Sequence, residues 1–506
     1  MRDTPPTNSD EATMGLAALH ISEGREYPLF FYGQSYMGTI EAYLAAPMFW
    51  IFGPSVHVQR VPVLALYVVF ALSLYTLTRI VYGPWLAAVT SVVLAAGSDR
   101  TVKNQLIAAG GYPEISPGAT LLILLATMVG IGLARPRPAL LATWGLVAGL
   151  LFWDHWLILP YVAAAGIVMF AALRGRRGDT RMLRAAGFVV GGFVLGALPL
   201  LIANVTRPLS ENSISVFLEQ SSGGASVSFA DRLHDGVVQG IPMGIGMCAP
   251  SRCEAWQVVW ALPYVLMLCV AGTHAYFAVR RLHHAMKLIQ AVRLALVVAA
   301  VVSIVAYARS SAATSDPVES ARYLSPLLIS TPAVLWPAWA LAGRLWRPLG
   351  DGRQTSRALL SRIGKALVVV YLGAQLVATG QLIGIVGSYR EEGRRHDALA
   401  RFLIERDSLH IYSDYWTCNL VVFATQEKVK CAVISDSLGR GLDRYMAYRR
   451  AVDSAPRVVY VAPAEAGLAQ KLDHWFSRYG SDYQTGTVAD YRIYIPDQPV
   501  PLPADS

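Results

Sequence analysis

Tyr36-Met37-Gly38-Thr39-Ile40-Glu41-Ala42-Tyr43-Leu44-Ala45-Ala46-Pro47-Met48-Phe49-Trp50-Ile51-Phe52-Gly53 is the stretch on which the threading of this chain turns. Read as a spanning helix, it would reverse the side of the N-terminus without adding any basic loop in support. It contains Glu41 and Pro47 and is at the short end of the roughly 20 residues that cross a bilayer. Its aromatic residues suit headgroup depth, so it reads as an interfacial helix lying along the outer surface. An ordinary spanning helix is the alternative.

Outward from this stretch the class is plain. The chain has 506 residues, 54% hydrophobic and 15% charged, with a mean hydropathy of +0.41. That much apolar surface does not fit one soluble core, and the apolar runs approach bilayer length, so this is an integral membrane protein. About ten spans are expected, beginning near Pro62, Gly83, Ile115, Ala139, Leu157, Ala185, Gln257, Leu288, Tyr323 and Gly364. The loops Arg174 to Arg184, Arg280 to Lys287 and Arg344 to Lys365 are strongly basic and should be cytoplasmic. The net charge of +9 therefore reports topology, and no nucleic-acid partner is expected. Counting outward places segments 98 to 114, 206 to 256 and 308 to 322 outside, with the first 60 residues and the tail after Ser388.

That tail has the composition of a soluble domain. Hydrophobic runs at Leu409 to Tyr412, Val429 to Ile434, Val458 to Val461 and Tyr491 to Ile495 alternate with helical stretches at 394 to 406, 442 to 454 and 464 to 479. The expected fold is an all-α polytopic membrane bundle with a small C-terminal α/β domain. Residues 1–60 form an external loop with the interfacial helix, 61–388 the membrane domain, and 389–506 the external α/β domain. Of the five cysteines, Cys269 lies in a span and the others in external segments. Cys248 with Cys253, and Cys418 with Cys431, form disulfides in an oxidising compartment or remain free thiols.

The groups able to do chemistry gather on the same side. Asp10 and Glu11 are adjacent acids beyond the membrane, just before a nearly apolar segment, which points to catalysis. The plainer reading is that they start a helix over Ala12 to Ile21, where Asp caps well and acids suit the dipole. Arg322 stands beside Tyr323 at the outer end of a span, and its planar fork can bind two oxygens of an anion at once. An arginine there also serves as a snorkelling anchor. Lys103 is a second phosphate candidate. Glu114, on a turn, and Asp154 with His155, in a short external turn, could hydrogen-bond a ligand or satisfy each other or helix ends.

The acidic pair, the surface helix within YGQSYMGTIEAYLAAPMFWIFG, GGYPE at Gly110 to Glu114, FWDHW at Phe152 to Trp156 and ARYLSP at Ala321 to Pro326 together resemble the bacterial GT-C membrane glycosyltransferases. The chain is similar to the protein O-mannosyltransferases and the RgtA/B/C/D-like glycosyltransferases over most of its length. The resemblance implies transfer of a sugar from a polyprenyl-phosphate donor to a glycan, lipid or protein acceptor at the outer face of the cytoplasmic membrane. Asp10 matches the general base, Glu11 a supporting acid, and Arg322 the family's Arg-Tyr-Leu pattern. Attack opposite the phosphate would invert the anomeric configuration. No cofactor is expected. A divalent metal could use Asp10, Glu114, Asp154 and His155 together, but no spacing requires one and none is expected.

Two other classes fit a polytopic chain. A transporter or flippase of lipid-linked saccharides would show charged or broken helices at mid-membrane depth and internal repeats, whereas these spans are mostly clean. A noncatalytic glycolipid-binding scaffold would show no transfer. The resemblance also implies a spanning helix before the acidic pair, where here only MRDTPPTNS precedes Asp10. A start placed too far downstream predicts an upstream in-frame apolar run of about 20 residues. The alternative is a short tail translocated by the following helices.

Overall fold

Long apolar runs must satisfy their backbone amides internally, and helices do so throughout the membrane part of this chain. The computed structural model describes residues 4–174, 179–222, 228–249, 253–282, 284–315, 317–343, 354–479, 482–498 and 500. Residues 175–178, 283 and 344–353, within the three basic loops, lie outside the described residues. The chain divides into two compact units, one of residues 64–106 and 111–384, the other of 1–63, 107–110 and 385–506. The expected first and third regions thus fall in one unit.

The larger unit is helical. Among the described residues, six helices are long and apolar enough to cross a membrane, and the pair Met182–Gly196 and Leu198–Thr206, bent by 58°, makes a seventh if counted as one span. Pro199, the second residue of the second half of that pair, removes a backbone donor at the bend. The chain is a multi-pass membrane protein. The spans expected near Gly83, Ile115 and Ala139 are instead helices of 12, 17 and 17 residues. Helices of 17 residues stand at the short end of the roughly 17 to 25 residues that cross a bilayer, and one of 12 falls below it. Runs of apolar residues do not report where Gly and Pro end a helix.

Helices Pro138–Asp154 and Asp179–Gly196 approach each other through Gly145, Gly149, Gly192 and Gly196. A Cβ at Gly145 would come within 2.0 Å of Val189 O, and one at Gly192 within 2.1 Å of Ala142 O. Two small-x-x-x-small faces let the backbones touch, which is how helices associate where burial from water gives no drive.

The smaller unit is built around helix Ser9–Ser22. Asn8 caps it, accepting from Glu11 N, and it is buried on all sides from Ser9 to His20. At Gly15 a Cβ would come within 2.6 Å of the Phe423 ring, so this helix lies directly on helix Tyr415–Ala424. The deciding stretch forms helix Ile40–Phe52, whose 13 residues are too few to cross a bilayer. Ala42, Ala45, Ala46 and Phe49 face inward, while Trp50, Ile51 and Phe52 are exposed. Its Glu41 is buried because Oε2 accepts from Gly110 N at 2.9 Å.

The terminal segment carries a five-stranded sheet of order β2-β1-β3-β5-β4. The strands are β1 (His410–Ser413), β2 (Lys430–Val433), β3 (Val459–Pro463), β4 (Tyr483–Val488) and β5 (Tyr491–Pro496). β1 pairs in parallel with β2 and β3, while β5 runs antiparallel to β3 and β4. The expected strands correspond to β1, β2, β3 and β5. β4 is an edge strand exposed along Gln484 to Thr487, so it has no hydrophobic alternation to read. The helix expected at 394 to 406 is the end of the 52-residue helix Gln354–Glu405. Both cysteine pairs are disulfides, Cys248–Cys253 and Cys418–Cys431, and Cys269 is free.

Candidate functional site

Asp10 and Glu11 follow the same cap, yet they meet different partners. Glu11 is fully buried against Arg60, which donates from Nε to Oε1 at 2.7 Å and from Nη2 to Oε2 at 2.6 Å. Thr7 Oγ1 donates to Oε2, and Arg60 Nη1 donates to Pro5 O at 2.9 Å. Both carboxylate oxygens are thus committed, and the pair fastens the helix start to helix Val56–Val81. The helix begins at Ser9 under Asn8, so both acids stand in its first turn, as the plainer reading had it, but the cap is Asn8 and not Asp10.

Asp10 accepts instead from Tyr415 Oη, and Arg444 Nη2 donates to the same oxygen, Oδ1, at 3.4 Å. Arg444 Nε donates to Tyr415 Oη at 2.8 Å. The guanidinium lies 4.9 Å from the Phe31 ring centre and 5.3 Å from that of Tyr415. Burial, then the Asp10 charge, push the Tyr415 phenol well above its usual range, so it keeps its proton and remains a donor. Asp414 caps helix Tyr415–Ala424 through Trp416 N and Thr417 N, which presents Tyr415 at the helix start. Ser9 Oγ donates to Tyr415 O at 2.7 Å, joining the two helix starts.

In the larger unit the structure brings Arg322, Tyr323 and His155 around Tyr112. The Arg322 guanidinium is 5.3 Å from the Tyr112 ring centre and 5.9 Å from that of Tyr323. Those two rings stack at 6.4 Å, and His155 lies 5.3 Å from Tyr112. Gly111, at φ +79°, permits this approach, since a Cβ there would sit 2.8 Å from His155 Cδ2. Burial, then Arg322, lower the His155 imidazole to about 3, so it is neutral at physiological pH. Asp154 and Glu114 are buried. Lys103 pairs with Asp99 at 3.2 Å, and Arg100 with Glu319 at 3.2 Å. Burial would raise the Glu319 carboxyl, but Arg100, Arg322 and Lys103 hold it below its usual value.

Arg444, Tyr112 and Arg100 had not been singled out as site residues. Tyr112 was within reach, because it sits in the GGYPE turn. The contacts of Tyr415 and Arg444 with Asp10 were not, since 405 and 434 positions separate them. Among the described residues no group of three His, Cys, Asp or Glu is placed to hold a metal ion. A cleft of about 40 Å³ beside Trp260, Tyr264, Leu335 and Tyr371 is lined only by uncharged side chains.

Comparison with known proteins gives a fold and little sequence. No protein-family model and no curated protein matches the chain. The crystal structure of ArnT from Cupriavidus metallidurans bound to undecaprenyl phosphate is similar over 96% of this chain and 93% of that one, with a TM-score of 0.60 and 13% identity. The apo structure of the same ArnT gives the same coverage and identity, with a TM-score of 0.59. The chain has the fold of the GT-C membrane glycosyltransferases.

Proposed function

We propose that this protein is an inverting glycosyltransferase that moves a sugar from a polyprenyl-phosphate donor to a glycan, lipid or protein acceptor at the outer face of the cytoplasmic membrane. Asp10 removes the proton of the acceptor hydroxyl as its oxygen attacks the anomeric carbon. The bond from that carbon to the phosphate oxygen breaks, and the lipid phosphate leaves with the electron pair. A positioned base of this kind contributes about 10² to 10⁴ in rate. Arg322 binds the phosphate, with Lys103 as a second cation, and Glu114, Asp154 and neutral His155 contact sugar hydroxyls. Neither a metal nor another cofactor takes part.

The observation that carries this reading is the contrast between the two acids on a fold shared with ArnT. Glu11 is consumed by a bidentate arginine, while Asp10 is held by a phenol and a longer guanidinium contact. The ArnT structure is bound to undecaprenyl phosphate, the kind of lipid phosphate that would leave in the reaction proposed for this chain. The two disulfides suit an oxidising outer compartment. Exposed Trp50, Ile51 and Phe52 suit a helix lying in the interface.

The test is transfer by the purified, reconstituted chain from a panel of labelled polyprenyl-phosphate sugars, with Asp10→Asn beside it. Wild-type transfer with a loss of at least about a hundredfold in the variant is expected. Equal rates would remove Asp10 from the role of base. Arg322→Gln should raise the donor KM. The lipid-linked saccharide that accumulates in cells lacking the protein identifies the donor.

A further inference from the structure

Arginines elsewhere in the smaller unit show what a structural guanidinium looks like. Arg60 donates from Nε, Nη1 and Nη2 to Glu11, Pro5 and Thr7. Arg449, with a side chain 1% exposed, serves Asp443 from Nε and Val433 O from Nη2, and its Nη1 lies 3.6 Å from Asp453. Arg444 differs. Its side chain is 8% exposed, it spends Nε on Tyr415 and Nη2 on Asp10, and Nη1 has no hydrogen-bond partner among the described residues. A buried donor without an acceptor is unfavourable, and an arginine that served packing alone would be better satisfied. Stacking on Phe31 and Tyr415 fixes the plane of the guanidinium. Gly33 closes over it, with an ideal Cβ 3.5 Å from Arg444 Cδ.

We propose that Tyr415 and Arg444 are positioning residues for the Asp10 carboxylate, so that the terminal segment is a working part of the catalytic centre. This rests on Asp10 being the base. Arg444 Nε polarises the Tyr415 hydroxyl, which donates to Asp10 Oδ1, while Nη2 reaches the same oxygen. Two donors converging on one oxygen set the rotation of the carboxylate and aim it, and linked hydrogen bonds strengthen one another. Neither residue takes the acceptor's proton. A base misaimed by about 1 Å loses on the order of a hundredfold in rate while the donor binds as before.

The experiment measures kcat and donor KM for the reconstituted full chain and for Tyr415→Phe, Arg444→Gln, Arg444→Lys and Asp10→Asn, using a polyprenyl-phosphate sugar that the wild type accepts. Tyr415→Phe removes one oxygen and keeps the ring, so it guards against a folding defect at Arg444. Tyr415→Phe and Arg444→Gln should each lower kcat by about 10- to 100-fold, with KM within about twofold. Arg444→Lys should stay at least about tenfold down, because a point charge cannot serve Tyr415 and Asp10 together. Wild-type kcat in either Tyr415→Phe or Arg444→Gln, or a change confined to KM, overturns the proposal. If Asp10→Asn retains wild-type kcat, the assignment of the base fails instead. If Asp10→Asn is inactive while the other variants are wild type, this inference alone fails.

Discussion

Glu11 and Asp10 are neighbours in one helical turn, and they have opposite fates. Glu11 is locked by Arg60 into a closed pair with no exposed surface, whereas Asp10 meets a phenol and a partly satisfied guanidinium. Residue type and local position are nearly the same for both. The difference lies in which face of helix Ser9–Ser22 each side chain leaves, and therefore which distant segment it meets. A closed buried pair serves the fold, and a carboxylate that accepts from a phenol and a guanidinium is suited to proton transfer.

Substitutions separate the two roles. The largest effect is expected for Asp10→Asn, about 10² to 10⁴ in kcat, with a midpoint of thermal unfolding close to wild type. Arg60→Ala should do the reverse, stranding the Glu11 charge and lowering stability by about 3–5 kcal/mol in thermal unfolding. Replacing both partners, Glu11→Leu with Arg60→Met, should recover most of that loss, since an apolar pair needs no desolvated charge. If this double variant is instead the least stable of all, Glu11 does more than hold Arg60.

Smaller changes probe the scaffold that sets the contrast. Cys418→Ala with Cys431→Ala frees the helix carrying Tyr415 from β2, and should cost about 2–4 kcal/mol in denaturant unfolding. Gly15→Ala pushes helix Ser9–Ser22 off Phe423, where a Cβ would come within 2.6 Å of the ring. Overpacking of this kind costs about 1–3 kcal/mol, and transfer should fall with it because Asp10 moves. Asn8→Ala removes the cap beneath both acids and should cost only about 1 kcal/mol. Activity per folded molecule should then be unchanged.

Much of the architecture was readable along the chain, and the failures have physical causes. Each expected span coincides with a helix, those near Gly83, Ile115 and Ala139 with helices of 12, 17 and 17 residues. The stretch around Pro47, at the short end for a span, forms a helix of 13 residues. β4 escaped because an exposed edge strand lacks alternation. Arg322, Tyr323 and His155 do come together, through Tyr112, a residue inside a motif already noticed.

Hydropathy, loop charge and turn residues are properties of consecutive positions, and they were enough to specify a polytopic helical protein with a terminal α/β layer. Partnership is not such a property. Whether an acid is neutralised by Arg60 or addressed by Tyr415 and Arg444 depends on contacts spanning 49, 405 and 434 positions. No period or spacing encodes them, so only the packed chain tells the two carboxylates apart.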